Sequence, residues 1–394
     1  MPLFRTTLIL GLTMTMPAVS KADTITGPQR VTVFQRGDDN YAAFRIPALT
    51  VAGNGEVLAF AEARRVGDRD QGDIDLVLRR STDGGATWSD LQLVGERGEH
   101  TYGNPTPILA RDNTIHLLTT SNHGEDVKHA IRAGTSHDIR RVHYQRSTDH
   151  GHTWTPPREI TDQATPVGAD WRWYATGPGH GIQLTHGPHA GRLVAPANHS
   201  DHDRPTDSPQ EATNASHVLL SDDGGQTWRV GGIVPATGPQ IRPWEATVAQ
   251  LPDGRIVLNA RNQPVDAAPR VQAVSDDGGE SFGPPRLVPE LVEPSRFSGG
   301  CQGSLLYDAG RGVLWFSNPA ATEQRENLTV RRSDDGGQTW NAGVVIHAGP
   351  SGYSDLTLLP DGTLGLLFEN GETRYNGRIS FVRVEASSPA EPAP

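Results

Sequence analysis

The chain has 394 residues, 46 acidic against 35 basic, a formal net charge of −11 and a single cysteine. That length suffices for one large domain or two ordinary ones, and the acidic balance argues against general nucleic-acid binding, which needs surplus Lys and Arg. No run approaches twenty apolar residues, Cys301 has no internal disulfide partner, and 44 Gly with 30 Pro mark a turn-rich, all-β chain without a membrane span in its mature form.

The first element in chain order is a leader. Arg5 precedes a modestly apolar Thr6–Met16, and Ser20-Lys21-Ala22 places small residues where a signal peptidase cuts. All three methionines fall in the first sixteen residues, so this segment differs in character from the rest. A signal peptide over 1–22 is expected, with secreted or periplasmic protein beginning at Asp23. At the other end, 386–394 reads as a disordered tail. Only Lys21 and Lys128 are lysines, so 33 of the 35 bases are Arg. No arginine is evidence of function without its context.

Between these ends runs a repeat. It reads STDGGATW at Ser81–Trp88, STDHGHTW at Ser147–Trp154 and SDDGGQTW at Ser221–Trp228. It recurs as SDDGGESF at Ser275–Phe282 and SDDGGQTW at Ser333–Trp340. The offsets are 66, 74, 54 and 58 residues, and about six units of that size fill the mature chain. Alternating runs precede the copies, at Asp75–Arg80, His143–Arg146, His217–Leu220 and Leu328–Arg332, as strands require. Pro252-Asp253-Gly254 and Pro360-Asp361-Gly362 each join two further alternating runs, which marks tight turns. Units of about four short strands around a fixed turn predict a six-bladed β-propeller over 23–385, with a solenoid as the competing arrangement.

The octapeptide resembles the Asp box of sialidases and related propellers. In each copy the Asp can accept backbone N–H bonds, the Gly permits positive φ, and the Trp is expected to pack on its own blade. Asp-Asp-Gly also invites a calcium reading, but the alternating oxygen ligands and terminal Glu of an EF-hand are missing. The boxes read as scaffold, and neither metal nor cofactor is expected.

Residues outside the boxes carry the chemistry. Phe44-Arg45-Ile46-Pro47 is followed by Glu62-Ala63-Arg64, a polar loop Gly67–Gln71 containing Asp70, and Gly72-Asp73-Ile74-Asp75. Later come Trp244-Glu245-Ala246-Thr247, Leu258-Asn259-Ala260-Arg261, Arg325-Glu326-Asn327, Gly352-Tyr353-Ser354-Asp355 and Phe368-Glu369-Asn370. Thr176-Gly177-Pro178-Gly179 and Gly300-Cys301-Gln302-Gly303-Ser304 stand between them. In this order the motifs resemble the bacterial exo-sialidase family across residues 30 to 385.

The resemblance implies a retaining, metal-independent exo-α-sialidase acting on terminal sialic acid of glycoproteins, glycolipids and oligosaccharides. Arg45, Arg261 and Arg325 match the family's carboxylate-binding cluster, for which permanently charged, bidentate guanidiniums are suited. Glu369 matches the residue that pairs with the first of them. Arg64 matches a further substrate-contacting arginine, while Arg65 reads as its solvated neighbour. Sialidases attack with Tyr where other retaining glycosidases use a carboxylate. A neutral phenol avoids repulsion by the substrate's own carboxylate, but its pKa near 10 demands a base. Tyr353 and Glu245 match that pair, and Asp70 matches the acid/base.

Further residues are less specific. His199-Ser200-Asp201-His202-Asp203 invites a metal reading, but Pro196 and Pro205 bracket it. A polar rim loop near the substrate's glycerol chain is expected instead. Trp171 and Trp173 suit either an N-acetyl pocket wall or core packing. A trans-sialidase, an intramolecular one releasing an anhydro sugar, and a relative preferring the deaminated sugar would share the residues named. A non-catalytic lectin-like propeller should lose Asp70, Tyr353 or Glu245, and all three are present.

Overall fold

A computed structural model of the protein describes residues 30–201, 213–263, 269–295 and 299–385. The leader at 1–22, the tail at 386–394, and His202 and Asp203 lie outside them. Ala43–Val51, Val57–Arg64, Ile74–Ser81 and Gln92–Gly95 form an antiparallel meander. A single parallel pair, Ile74 with Thr101, links it to the next, Thr101–Leu109, Ile115–Asn122, Arg141–Ser147 and Arg158–Glu159. Trp171–Thr176, Leu193–Asp201, Thr213–Ser221 and Arg229–Pro235 follow, and then Pro243–Gln250, Ile256–Asn262, Arg270–Ser275 and Arg286–Val288.

The long strand Val344–Leu358 serves two meanders. Its first part pairs with Glu326–Ser333, which continues to Val313–Pro319 and Ser304–Asp308. Its second part pairs with Leu364–Asn370, then Arg378–Val384, and finally the early strand Val31–Gln35. The protein is therefore all-β, and the described helices are short, at Lys128–Ala133 and Thr161–Ala164. Both Pro-Asp-Gly segments join paired strands as expected.

The apolar core lies between neighbouring sheets. Phe44, Val57 and Ala59 meet Phe34, Leu367 and Phe381, so the first meander packs on the last. Each Asp box follows one hydrogen-bond scheme. Asp83 accepts from the Thr87 backbone N–H at 2.9 Å and from its hydroxyl at 2.6 Å, while the Gly85 N–H reaches Ser81 Oγ at 2.7 Å. The other four copies repeat these contacts.

The box tryptophans depart from expectation. Trp88 packs edge-on against Phe381 of the last sheet, Trp154 edge-on against Phe60 of the first meander, and Trp228 tilted against Tyr144 of the second. Only Trp340 meets a ring of its own meander, Phe316. The second box glycine explains this. A Cβ at Gly85 would lie 2.0 Å from Phe381, and at Gly225 2.3 Å from the Tyr144 oxygen. The box is a docking turn that presses on its neighbour, so its Trp reaches across.

In the second box His150 stands where the other copies have Gly, at φ 61°. A left-handed conformation costs an L-residue roughly 1–2 kcal/mol. His150→Gly is expected to stabilise the protein by about 1 kcal/mol in urea denaturation, less the entropy glycine adds to the unfolded chain. A loss of stability would mean that the His150 ring supplies more than its backbone strain costs.

Candidate active site

The site is built where the leading strands of four meanders lose register. Pairing slips between Arg45 and Ala48, between Gly103 and Thr106, between Pro243 and Ala246, and between Ser351 and Ser354. Bulges bend a strand and re-aim its side chains. Here they fall on Arg45-Ile46, Asn104, Glu245 and Tyr353, and all five residues line one cavity of about 320 Å³. Ile46 and Asn104 adopt positive φ, 58° and 54°, each immediately before a proline. For β-branched Ile46 that is strained backbone. Its N–H is held by Glu369 Oε1 at 2.9 Å.

Glu369, fully buried, organises one wall. It receives Arg45 through two bonds, Nε to Oε1 at 3.0 Å and Nη2 to Oε2 at 3.1 Å, and also the Tyr353 N–H at 3.1 Å. The Arg45 guanidinium lies 5.2 Å from the Tyr353 ring centre, and that of Arg325 lies 5.4 Å from it. Arg261 donates from Nη1 to Glu245 Oε2 at 2.8 Å and to Tyr353 Oη at 3.2 Å. Tyr353 Oη donates a short hydrogen bond to Glu245 Oε1. The Arg325 Nε has no hydrogen-bond partner among the described residues, leaving a donor to be satisfied.

Protonation follows from these contacts. Burial and the adjacent Glu245 charge push the Tyr353 phenol well above its ordinary range, against the pull of the three arginines. Burial also raises Glu245, but Arg261, the Tyr353 hydrogen bond and Arg325 outweigh it and keep the carboxylate ionised. The proton therefore rests on Tyr353 with an ionised base beside it.

Asp70 is placed by the loop that follows Arg64. Its side chain is 67% exposed, with Oδ1 3.0 Å from Arg64 Nη1 and 3.5 Å from Arg45 Nη1. The surrounding chain partly encloses it, but the adjacent guanidiniums of Arg64 and Arg45 outweigh that and hold it below the usual carboxylate range. Arg64 is itself fixed by Glu62 Oε2 at 2.6 Å. All seven residues expected around the substrate thus meet in one cavity, with Glu369 behind Arg45. Arg65 turns elsewhere, pairing with Asp75 at 2.8 Å and Asp73 at 3.3 Å.

The stretches around Gly177 and Cys301 have a physical task. Asp355 accepts from Leu49 N–H at 2.8 Å, His180 N–H at 3.0 Å and Ser304 Oγ at 2.8 Å. Gln302 bonds the Ser354 carbonyl and N–H, both at 3.0 Å, and the Pro178 carbonyl at 3.1 Å. These buried contacts pin the backbone that presents Tyr353.

One expectation is corrected, and one left open is resolved. His199 is not on a rim loop: it is a buried strand residue, stacked 3.4 Å from Trp171 and hydrogen-bonded to His217 at 3.0 Å. Burial drives both imidazoles neutral, so they form a packed aromatic core and no polar loop. Trp171 belongs to that core, while Trp173 lines the cavity.

Sequence reasoning missed several further residues that line the cavity. Lys128 Nζ lies 4.3 Å from the Trp244 ring centre and 5.2 Å from that of Trp173. Arg140 stacks on Trp173 at 4.4 Å and donates to Asn104 Oδ1 at 2.7 Å. Tyr375 sits 5.2 Å from both Arg45 and Arg325. Lys128 is the one lysine of the described residues, which was the only signal for it.

Burial and the positive charges of Arg261 and Arg132 lower Lys128 from 10.5 to about 7. Between those values the unfolded state binds the extra proton, so stability rises with pH. Lys128→Met removes this dependence. The variant should exceed the parent in thermal midpoint at pH 6–7, with the advantage fading by up to about 1.4 kcal/mol per unit towards pH 10. Equal gains at pH 6 and pH 10 would show that Lys128 is not desolvated.

Comparison with known proteins gives the family. The BNR repeat-like domain family matches residues 55–366. A sialidase of Micromonospora viridifaciens is 35% identical over 354 residues, covering 85% of this chain and 51% of that protein. An exo-alpha-sialidase of Arthroderma benhamiae is 32% identical over 357 residues, covering 84% of this chain and 78% of its own. Among solved structures, the Hadza microbial sialidase Hz136 superposes with a TM-score of 0.75 at 27% identity, covering 90% of this chain and 68% of that one. The fold is thus related to the sialidase β-propellers. The chain belongs to the sialidase family. It spans about half the length of the Micromonospora relative.

Proposed function

We propose that the protein is an exo-α-sialidase that hydrolyses terminal sialic acid from glycoconjugates with retention at the anomeric carbon. The observation that carries this is the Glu245–Tyr353 hydrogen bond set among Arg45, Arg261 and Arg325 in one cavity. The three arginines take the substrate carboxylate. Tyr353 Oη attacks the anomeric carbon and passes its proton to Glu245, while the glycosidic oxygen leaves with a proton from Asp70. Water then attacks the tyrosyl-linked sugar, giving its proton to Asp70, and Tyr353 recovers its own from Glu245. The free protein holds Asp70 ionised through Arg64 and Arg45. The arriving carboxylate competes for Arg45, which loosens that hold and lets Asp70 take up the proton it must deliver.

We read the meanders as six blades of a closed propeller, the last completed by Val31–Gln35 on Arg378–Val384. Proton NMR of a defined sialoside during turnover tests the activity. The first sugar released should be the α-anomer of free sialic acid. Initial β-anomer overturns retention, and a 2,7-anhydro product overturns hydrolysis. Export follows from the leader reading, and protein recovered outside the cytoplasm should begin near Asp23. An intact Met1 on exported protein would refute it.

A further inference from the structure

We propose that His123, Glu125 and His137 form a site for one divalent transition-metal ion of the zinc type, lying outside the cavity and fastening the segment that carries Lys128. One ligand atom from each residue lies within 4.8 Å of the other two. Two donors on one tetrahedral zinc stand about 3.3 Å apart, so the donors are already near that spacing, and the stacked imidazoles close the set by turning their in-plane nitrogens toward one point. Two imidazoles with a carboxylate suit zinc or a neighbouring first-row ion better than calcium or magnesium, which take oxygen ligands.

The surroundings are those of a ligand set. His137 Nδ1 lies 2.8 Å from Asp126 Oδ1, and that carboxylate is 4% exposed. Asp126 also accepts the backbone N–H groups of His137 at 3.0 Å and Asp138 at 3.3 Å. A carboxylate on the far nitrogen fixes the tautomer of a metal-binding histidine and raises its basicity. It leaves His137 Nε2 free to ligate, 3.9 Å from Glu125 Oε2. The His123 ring stacks on His137 at 4.1 Å and lies tilted 4.4 Å from His100. Its Nδ1 accepts a long hydrogen bond, 3.3 Å from the Glu125 N–H, which a metal-bound ring can give up at little cost. Gly124 holds this turn in place, since a Cβ there would lie 2.0 Å from the Glu99 carbonyl oxygen.

The placement gives the ion its consequence. His123 and Glu125 begin the excursion between Ile115–Asn122 and Arg141–Ser147, and His137 closes it. Inside lies the helix Lys128–Ala133 with Lys128 at its start. Gly124, Glu125 and Val127 also face the Arg64–Asp73 loop across a second cavity. An ion there ties both ends of the excursion and performs no chemistry, so hydrolysis persists without it.

Calorimetric titration of the untagged, chelator-treated enzyme with ZnCl₂ tests the site. The parent should bind one more equivalent than His137→Ala or Glu125→Gln, both of which should retain sialoside hydrolysis. Asp126→Asn should weaken that equivalent by about 10–100-fold while keeping its shape. Zn²⁺ should slow limited proteolysis within 123–137 in the parent and leave His137→Ala unchanged. Parent-like Zn²⁺ stoichiometry in both substituted proteins overturns the site. Loss of the equivalent with unaltered proteolysis of the parent overturns the fastening.

Discussion

Asp70→Ala should lower kcat/KM on a natural sialoside by about 10²–10⁴-fold, or roughly 3–5 kcal/mol of barrier. The same change should cost far less when the aglycone is an acidic phenol. A sugar alkoxide departs only if protonated, whereas a stabilised phenolate leaves unaided. The comparison belongs on kcat/KM, since the lost base also slows water attack in the second step. Tyr353→Phe provides the contrast. It removes the attacking oxygen and should hurt both substrates whatever the leaving group. Equal losses on the two substrates for Asp70→Ala would reduce Asp70 to a partner of Arg64 and Arg45.

The second large effect concerns Glu369. Its carboxylate neutralises Arg45 through two bonds and holds the N–H groups of Ile46 and Tyr353. Glu369→Ala should destabilise the fold by about 3–5 kcal/mol, because a buried guanidinium loses its partner and two backbone donors lose theirs. Glu369→Gln keeps one acceptor oxygen and the volume but not the charge. It should fold better than Glu369→Ala while still losing kcat/KM, since Arg45 is then free to drift from the carboxylate position. Urea denaturation and kinetics on both variants separate the two effects. If Glu369→Ala unfolds within 1 kcal/mol of the parent, water must already solvate Arg45 from the cavity side.

What the sequence revealed, it revealed through local constraint. An Asp box closes within eight residues, so its spacing survives wherever it sits, and the period-2 strands around it follow. The arginines, Tyr353, Glu245 and Asp70 could be named because each sits in a short motif matching a family pattern. Lys128 and Arg140 could not, because they sit on an excursion between two strands, one opening a six-residue helix and the other in the loop after it, too short for periodicity to fix their direction. The register slips at Arg45 and Tyr353 were equally hidden. A bulge depends on how two distant strands pair, which no single run records. The tryptophans of three boxes depart for a related reason: their ring partners lie in another sheet, 84 residues away in the chain for Trp228, 94 for Trp154 and 293 for Trp88.

The pairing of Val31–Gln35 with Arg378–Val384 also has a consequence for synthesis. The strand made first waits for the strand made last. A ribosome halted anywhere before residue 384 holds a chain whose final sheet lacks its edge, with Phe34 and Phe44 denied Leu367 and Phe381. Complete folding is thereby deferred until nearly the whole polypeptide has emerged. A truncated product is left with an unpaired strand that invites its own aggregation.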